Sequence, residues 1–362
     1  MSVINYSKLF DLARDFYSSL SYNDRSGSAL IPFRYSLELT YRCNLQCPYC
    51  YVGNSRTKEE LSTQDWLNVI KQIPFYGMIT LVGGEPLLRK DFKEIFNASI
   101  NQVMGKVNVV TNGILLNEDI LKMFIDKKLL LLSISIDGYG KNHDINRDKE
   151  GIFEKITHNL ETLKSLKAKN KKPLVDIKTI ILENNLDDLP KLYKYCEELD
   201  LNFLSLAFLR NNDLKQNSIL RNTIGPEFYE TEYPIEPYFD IEHFKDVFRE
   251  LESLSKRGKV KIRWAPKFDY FSDKPSVIEK FFLLGKTPVA QIYKPCMYPW
   301  SNVIINPEGD MYPCLSYKIG NVKEKQLKEV WNSPHYRCFR KNLQIRKVFN
   351  ACQMCCELTP KI

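Results

Sequence analysis

The sequence predicts an α/β protein in which parallel strands are joined by crossover helices, followed by a small C-terminal unit rich in cysteine. Three observations carry this. Short β-branched or apolar runs alternate with stretches of helical periodicity from residue 35 to residue 208, the pattern that produces right-handed βαβ units. The rhythm breaks over residues 209–290. Six of the ten cysteines then fall within residues 291–362.

The elements follow in order. Residues 5–20 have helical periodicity, with Leu9, Phe10, Leu12, Ala13, Phe16 and Leu20 on an apolar stripe, and the polar stretch 21–28 ends it. Strands are expected at 35–40, 78–82, 106–110, 129–136, 174–181 and 201–208, with helices at 63–73, 91–103, 117–127, 152–168 and 187–199. This pattern alone does not separate an open doubly wound sheet from a partial barrel. Residues 224–240, rich in aromatics, acids and proline, read equally as a cap over the active site or as a connector. A helix at 241–257 and a strand at 259–264 come next, and residues 302–314 read as a hairpin turning at Pro307-Glu308-Gly309-Asp310. The expected divisions are a lead-in at 1–29, the strand–helix domain at 30–265, a linker or cap at 266–290 and the cysteine-bearing unit at 291–362.

The 362 residues are 44% hydrophobic and 27% charged, the balance of a globular protein. The first 20 residues carry Lys8, Asp11, Arg14 and Asp15 and so lack the apolar core of a secretory signal. No run approaches the roughly 18 apolar residues of a membrane span. A cytoplasmic, reducing location without a membrane partner is therefore expected, and clustered cysteines there point to metal rather than to disulfides. Part of the net charge of +8 sits at 163–172 and 336–347. Both read as solvated basic faces, and no nucleic-acid-binding module is expected.

Cys43-Asn-Leu-Gln-Cys47-Pro-Tyr-Cys50 is the strongest chemical signal. Thiolates suit iron–sulfur clusters, and three of them on a four-iron cubane leave one iron open to bind a small molecule. A structural zinc site wants a fourth ligand nearby, and none lies within the loop. The position, just after the first strand, is where ligands gather in parallel α/β sheets.

The run LELTYRCNLQCPYC resembles the cluster loop of the radical SAM superfamily. The resemblance extends to Tyr49 before the third cysteine, Gly83-Gly84-Glu85-Pro86 after the second strand, Thr111-Asn112-Gly113 after the third, and SISIDG at 133–138 followed by HDINR at 143–147. It implies an open partial (β/α)6 barrel and a [4Fe-4S] cluster on Cys43, Cys47 and Cys50 that chelates S-adenosyl-L-methionine. Reductive cleavage of that cofactor gives a 5′-deoxyadenosyl radical that removes a hydrogen atom from a C–H bond. Residues implied to touch the cofactor are Tyr49, Gly83, Gly84, Glu85, Asn112, Ser135, Asp137 and Arg147. The glycines would let backbone approach the methionyl ammonium, Glu85 would accept from it or brace the loop, and Arg147 would pair with the methionyl carboxylate. His143 reads as a helix-start residue rather than a catalytic one.

In the tail, Cys296, Gly309 and Cys314 follow the C-x12-G-x4-C opening of the SPASM/twitch extension carried by many radical SAM enzymes. The further spaced cysteines of the full form are missing after Cys352 and Cys355. The resemblance therefore implies one auxiliary [4Fe-4S] cluster on Cys296, Cys314, Cys352 and Cys355, with zinc as the rival metal and Cys356 as the substitute for Cys355. Cys196 and Cys338 are left over, Cys196 reading as a small buried hydrophobe.

The function implied is radical modification of a small biosynthetic metabolite (a sugar, aminocyclitol or cofactor precursor), with net oxidation through the auxiliary cluster and an external flavodoxin- or ferredoxin-like electron donor. Only 34 residues precede the first strand, too few for a folded peptide-recognition domain. The alternative is a maturase acting on a ribosomal peptide or protein side chain. A third reading, of another class, is a non-catalytic electron-transfer protein.

Overall fold

The computed structural model describes residues 3–50, 52, 59–167, 172–209, 238–267, 289–314, 317–349, 352 and 355–361, with the backbone alone at 3–11, 289 and 292. Most of the expected cap at 224–240, most of the linker at 266–290 and part of the basic stretch 163–172 lie outside them.

After α1 (Val3–Tyr22), strands and helices alternate as β1 (Arg34–Glu38), α2 (Thr63–Lys71), β2 (Met78–Val82), α3 (Phe92–Gln102), β3 (Val107–Thr111), α4 (Glu118–Asp126) and β4 (Leu131–Ser135). Two helices, α5 (Lys141–Arg147) and α6 (Ile152–Lys167), lead to β5 (Leu174–Ile181), α7 (Leu189–Glu198), β6 (Phe203–Phe208), α8 (Ile241–Arg257) and β7 (Lys261–Ala265). The C-terminal segment adds β8 (Asn302–Ile305), β9 (Asp310–Tyr312), β10 (Gly320–Asn321), α9 (Leu327–Trp331) and α10 (Pro334–Arg346).

The ten strands among the described residues form one sheet in the order β10-β9-β8-β1-β2-β3-β4-β5-β6-β7. Strands β1 to β7 run parallel in sequence order. The parallel array is therefore longer than the six expected strands at both ends. The strand expected at 259–264 docks beside β6, because α8 returns the chain to that edge. The C-terminal hairpin of β8 and β9 adds to the other edge through a parallel pairing of β8 with β1, Arg34 opposite Asn302. The sheet is continuous across the expected boundary between residues 265 and 291.

Side-chain alternation gives the sheet two chemically different faces. Leu37, Leu81, Val109, Ile134, Ile177 and Leu204 point outward and are fully buried beneath helices that supply Trp66, Phe96, Phe124 and Phe248. Each such side chain contributes about 1.5–3 kcal/mol by leaving water. The opposite face carries Arg34, Thr80, Asn108, Ser133, Asp176, Ser205 and Arg263, which wall a single cavity of about 520 Å³. One cavity lined from β1 through β7 is the signature of a sheet curled into an open barrel.

The N-terminal helix packs differently from its sequence pattern. Leu12, Phe16 and Leu20 are 68%, 67% and 57% exposed, while Ser18 and Ser21 are buried, Ser18 hydrogen-bonding Ser301 at 2.7 Å. The helix seats its small polar face, flanked by Tyr22 edge-on to Trp300, and leaves Leu12, Phe16 and Leu20 outward. Among the described residues no helix is long and apolar enough to cross a membrane.

Candidate active site

The cysteine loop is fixed by a continuation of the β1–β2 ladder beyond the strands. Leu39 N–H donates to Val82 O at 2.7 Å, Gly84 N–H to Thr40 O at 2.7 Å and Glu85 N–H to Arg42 O at 2.8 Å. Such an approach leaves no room for side chains. A Cβ on Gly83, whose φ is +141°, would lie 2.6 Å from Thr40 O, and one on Gly84 would collide with the Arg42 carbonyl. The two glycines thus meet the backbone that delivers Cys43.

Glu85 is fully buried and braces this junction. Its carboxylate accepts from Asn112 N–H at 2.8 Å, Thr111 hydroxyl at 2.8 Å and Leu87 N–H at 3.1 Å. Burial pushes its pKa up to about 7, against the pull of those donors. With its oxygens engaged this way, Glu85 ties the end of β3 to the junction that carries the cysteine loop. Asn112, turned by Gly113 at φ +83°, donates to Asn44 Oδ1 at 2.7 Å and points the same amide at Cys43 Sγ, 3.9 Å away. Arg147 Nη1 lies 3.7 Å from Cys47 Sγ.

Asp137, at the end of β4, ties the pieces together. One oxygen accepts from Ile180 N–H at 2.7 Å. The other accepts from Tyr49 hydroxyl at 2.5 Å and from Arg147 Nη2 at 2.5 Å. Burial and then the Asp137 charge raise the Tyr49 phenol well above its ordinary range. Burial opposes the charge on Arg147, but Asp137 outweighs it and keeps the guanidinium protonated. Asp137 and Arg147, expected to face the cofactor separately, are here each other's partner. Ser135 lines the cavity beside them.

His143 has a role its helix-start position did not reveal. Asp137 N–H donates to its Nδ1 at 3.0 Å, and burial, then Arg147, lowers its pKa to about 4. The ring is neutral with its proton on Nε2. Sequence reasoning also missed Glu60, Arg89 and Asp91. Glu60 accepts from Thr40 hydroxyl and Tyr41 N–H, both at 2.7 Å, and Arg89 donates to Leu39 O at 2.9 Å while pairing with Asp91 at 2.7 Å. Tyr41 hydroxyl reaches Glu308 at 3.0 Å, linking the cysteine loop to the turn after β8. These three belong to no motif, and only the fold brings them to the loop.

Cys43, Cys47 and Cys50 sit half-buried on one loop, with N–H donors aimed at two of the sulfurs, an environment that stabilises cluster-bound thiolate. Among the described residues no three His, Cys, Asp or Glu side chains close on a single metal-ion position. Cys296, Cys314, Cys352 and Cys355 pack against the core from the C-terminal segment. Burial, then neighbouring Cys352, pushes the Cys296 thiol far up, with Cys314 adding to it. A thiol set of this kind ionises only against a compensating metal charge. Cys356 instead lines the cavity together with Glu357. Cys196 is buried in α7, as expected of a small hydrophobe, and Cys338 is exposed.

Comparison with known proteins places these features in context. The model of the Radical SAM superfamily matches residues 37–196, and that of SPASM, an iron-sulfur cluster-binding domain, matches residues 296–356. The sporulation killing factor maturation protein SkfB of Bacillus subtilis is 32% identical over 176 residues, which are 47% of this chain and 42% of SkfB. The chain thus spans less than half the length of that relative in the match. Streptococcus suis SuiB bound to S-adenosylmethionine has a TM-score of 0.61 at 16% identity, covering 86% of this chain and 68% of SuiB. SuiB has also been solved bound to its precursor peptide SuiA. The anSMEcpe structure with bound AdoMet and Cp18Cys peptide has a TM-score of 0.57 at 22% identity, covering 84% of this chain and 82% of that one. At these identities the structural likeness establishes the fold.

Proposed function

Since the chain belongs to the radical SAM superfamily, carries a C-terminal SPASM domain and so uses [4Fe-4S] clusters and S-adenosylmethionine, we propose that it is a maturase modifying a side chain of a peptide substrate. The small-metabolite reading of the sequence yields here to its alternative. SkfB is named a maturation protein, and the SuiB and anSMEcpe structures hold peptides. The observation that carries the proposal is the barrel cavity. Asp137 and Arg147, beside the cysteine loop, line it together with Cys356 and Glu357 from the C-terminal segment, so a substrate there contacts both cysteine-bearing regions.

In this reading Cys43, Cys47 and Cys50 hold one cluster, and Cys296, Cys314, Cys352 and Cys355 hold the auxiliary one. When bound, the first cluster and S-adenosylmethionine supply an electron and a 5′-deoxyadenosyl radical that takes a hydrogen atom from a C–H bond. The chain's own residues do the positioning. Asn112 and Arg147 direct N–H groups at cluster-bearing sulfurs and stabilise their charge. Asp137 fixes Tyr49 and Arg147 beside the cysteine loop, with His143 holding the Asp137 backbone. The barrel wall would position the reacting bond, which is the protein's main contribution in cofactor chemistry. An auxiliary cluster on Cys296, Cys314, Cys352 and Cys355 would offer an acceptor for the one electron left on the substrate after loss of a hydrogen atom, which would make the net change an oxidation, and an external flavodoxin- or ferredoxin-like protein would donate the electron for cofactor cleavage.

The test is anaerobic reconstitution with iron and sulfide, followed by dithionite and S-adenosylmethionine. The native protein is expected to form 5′-deoxyadenosine, and a protein carrying Cys43→Ala, Cys47→Ala and Cys50→Ala is expected to form none. Equal yields from the two would overturn the assignment of those cysteines.

A further inference from the structure

Helix α10 has two unlike faces. From Pro334 to Lys347 the chain holds Arg337, Arg340, Lys341, Arg346 and Lys347 and no carboxylate. Tyr336, Phe339, Arg340 and Leu343 are buried on one side, with the Arg340 guanidinium carbon 3.7 and 4.2 Å from the ring centres of Tyr336 and Trp331. Arg337 and Lys341 point to solvent on the other, and Arg346 and Lys347 are exposed at its end. The helical period sets Arg337, Lys341 and Ile345 in one outward row, in which Ile345 is 80% exposed. An apolar side chain ringed by polar ones has the make-up of an interface. The nearby carboxylate does not neutralise this row. Residues 24–27 cross α10, with Gln344 Nε2 donating to Asp24 O at 3.2 Å and Arg340 Nη1 to Gly27 O at 3.1 Å. The Asp24 carboxylate accepts from Ser26 hydroxyl at 2.7 Å and Ser26 N–H at 2.8 Å. These two donors hold its pKa below the ordinary carboxylate range, with Arg337 and Lys341 adding a weaker pull. Arg25 adds a further exposed cation from the same loop.

The inner face of α10 packs on the segments that bring Cys296, Cys314 and Cys352. Lys347 O accepts from Cys296 N–H at 2.9 Å. Pro299 O, three residues after Cys296, accepts from Tyr336 hydroxyl at 2.7 Å and from Arg340 Nε at 2.9 Å. Tyr317, three residues after Cys314, lies 4.5 Å from Phe339, ring centre to ring centre. Phe349 lies 5.4 Å from Phe339, and its carbonyl accepts from Cys352 N–H at 2.9 Å. One helix, about 10–12 Å across, thus stands between a basic surface and the thiols assigned to the auxiliary cluster.

We propose that the outer face of α10 is the docking surface for an acidic one-electron carrier of the flavodoxin or ferredoxin class, seated over the auxiliary cysteines. This rests on the auxiliary-cluster reading above. The carrier arrives oxidised, takes one electron from the reduced cluster and leaves with it, and no proton or atom crosses. Opposite charge speeds such an encounter without making it permanent. Transient electron-transfer interfaces bury less than about 1,200 Å², an area that one helix face and its flanks can supply.

The test uses the full chain reconstituted with iron and sulfide, and oxidised flavodoxin as the carrier. Fluorescence anisotropy at low and at physiological salt gives the affinity. Arg337→Glu with Lys341→Glu is expected to weaken binding about tenfold or more and to flatten its salt dependence. Lys155→Glu, on α6, is expected to change it by less than about twofold. Arg337→Gln with Lys341→Gln repeats the test without adding charge. In the second readout the Cys43→Ala, Cys47→Ala, Cys50→Ala protein is photoreduced and mixed rapidly with oxidised flavodoxin. Flavin semiquinone is expected to form, and to form about tenfold more slowly once Arg337→Glu and Lys341→Glu are added. Equal affinity of the native and charge-reversed proteins for flavodoxin overturns the docking surface and leaves the proposed function standing. So does flavodoxin failing to bind where a short DNA duplex or phosphatidylglycerol vesicles bind through the same cations. Semiquinone formed at one rate by both reduced proteins, or by neither, overturns the electron route. Failure of the auxiliary-cluster reading shows by itself, as a triple cysteine variant that binds no iron, and it removes the proposal as well.

Discussion

At Asp137 one carboxylate sets the direction of Tyr49, Arg147 and the backbone of β5. Asp137→Asn keeps the shape but leaves the buried Arg147 charge without its counter-ion, a change that costs about 3–5 kcal/mol. The expected outcome is a matching fall in the urea midpoint and weaker S-adenosylmethionine binding, read by equilibrium dialysis. Glu85 makes a pH prediction. Its folded pKa of about 7 lies above the ordinary carboxyl value of 4.5, so the folded protein holds a proton that the unfolded chain has released between those values. Stability from this group is therefore greatest below pH 4.5 and falls as pH rises to about 7, by about 3 kcal/mol. Glu85→Gln should flatten that slope in denaturation curves taken at pH 5 and pH 7. The identities of these residues were legible as motif members, and bracing of the loop was among the roles expected of Glu85. The family resemblance implied that Asp137 touches the cofactor, but no local signal showed that Tyr49, Arg147 and the β5 backbone already occupy its oxygens.

Among the elements, the strand ends and the loops behind them agree with the sequence pattern within a few residues, because β-branched runs and helical periods are local signals. What the pattern misread was orientation. The stripe of Leu12, Phe16 and Leu20 has helical spacing, yet α1 buries Ser18 and Ser21, since a partner surface and not periodicity decides which face packs. The polar alternates of β4 to β7 are visible in the sequence as well, but whether they face water or a cavity depends on neighbours that only the fold aligns. The Gly83-Gly84 zipper yields a sharp test. Gly84→Ala puts a methyl into the Arg42 carbonyl, so the loop must part from the Thr40–Arg42 backbone. Stability should drop by about 1–3 kcal/mol, and the iron bound by the reconstituted protein should fall toward that of the Cys43→Ala, Cys47→Ala, Cys50→Ala variant.

For the whole molecule, the one large departure is the joining of the C-terminal segment to the barrel. The hairpin of β8 and β9 was expected, but its pairing with β1 was not, because a four-residue strand carries no local mark of its partner. Further ties cross the same seam: Arg340 Nη1 donates to Gly27 O at 3.1 Å, and Trp331 Nε1 reaches Leu30 O at 2.6 Å. The segments matched by the two family models should therefore melt together, as a single calorimetric transition. Deleting residues 291–362 bares the edge of β1, and such a chain is expected to aggregate on expression, seen by light scattering.

The same pairing sets an order of events at the ribosome. β1 leaves the exit tunnel early, yet the strand that covers one of its edges lies about 270 residues later, roughly 13–50 s of synthesis at about 5–20 residues per second. Through that interval the nascent barrel waits with its first strand half-paired. The rate at which codons between β1 and β8 are read, and whether a chaperone shields that edge, thus become part of how much active protein a cell obtains.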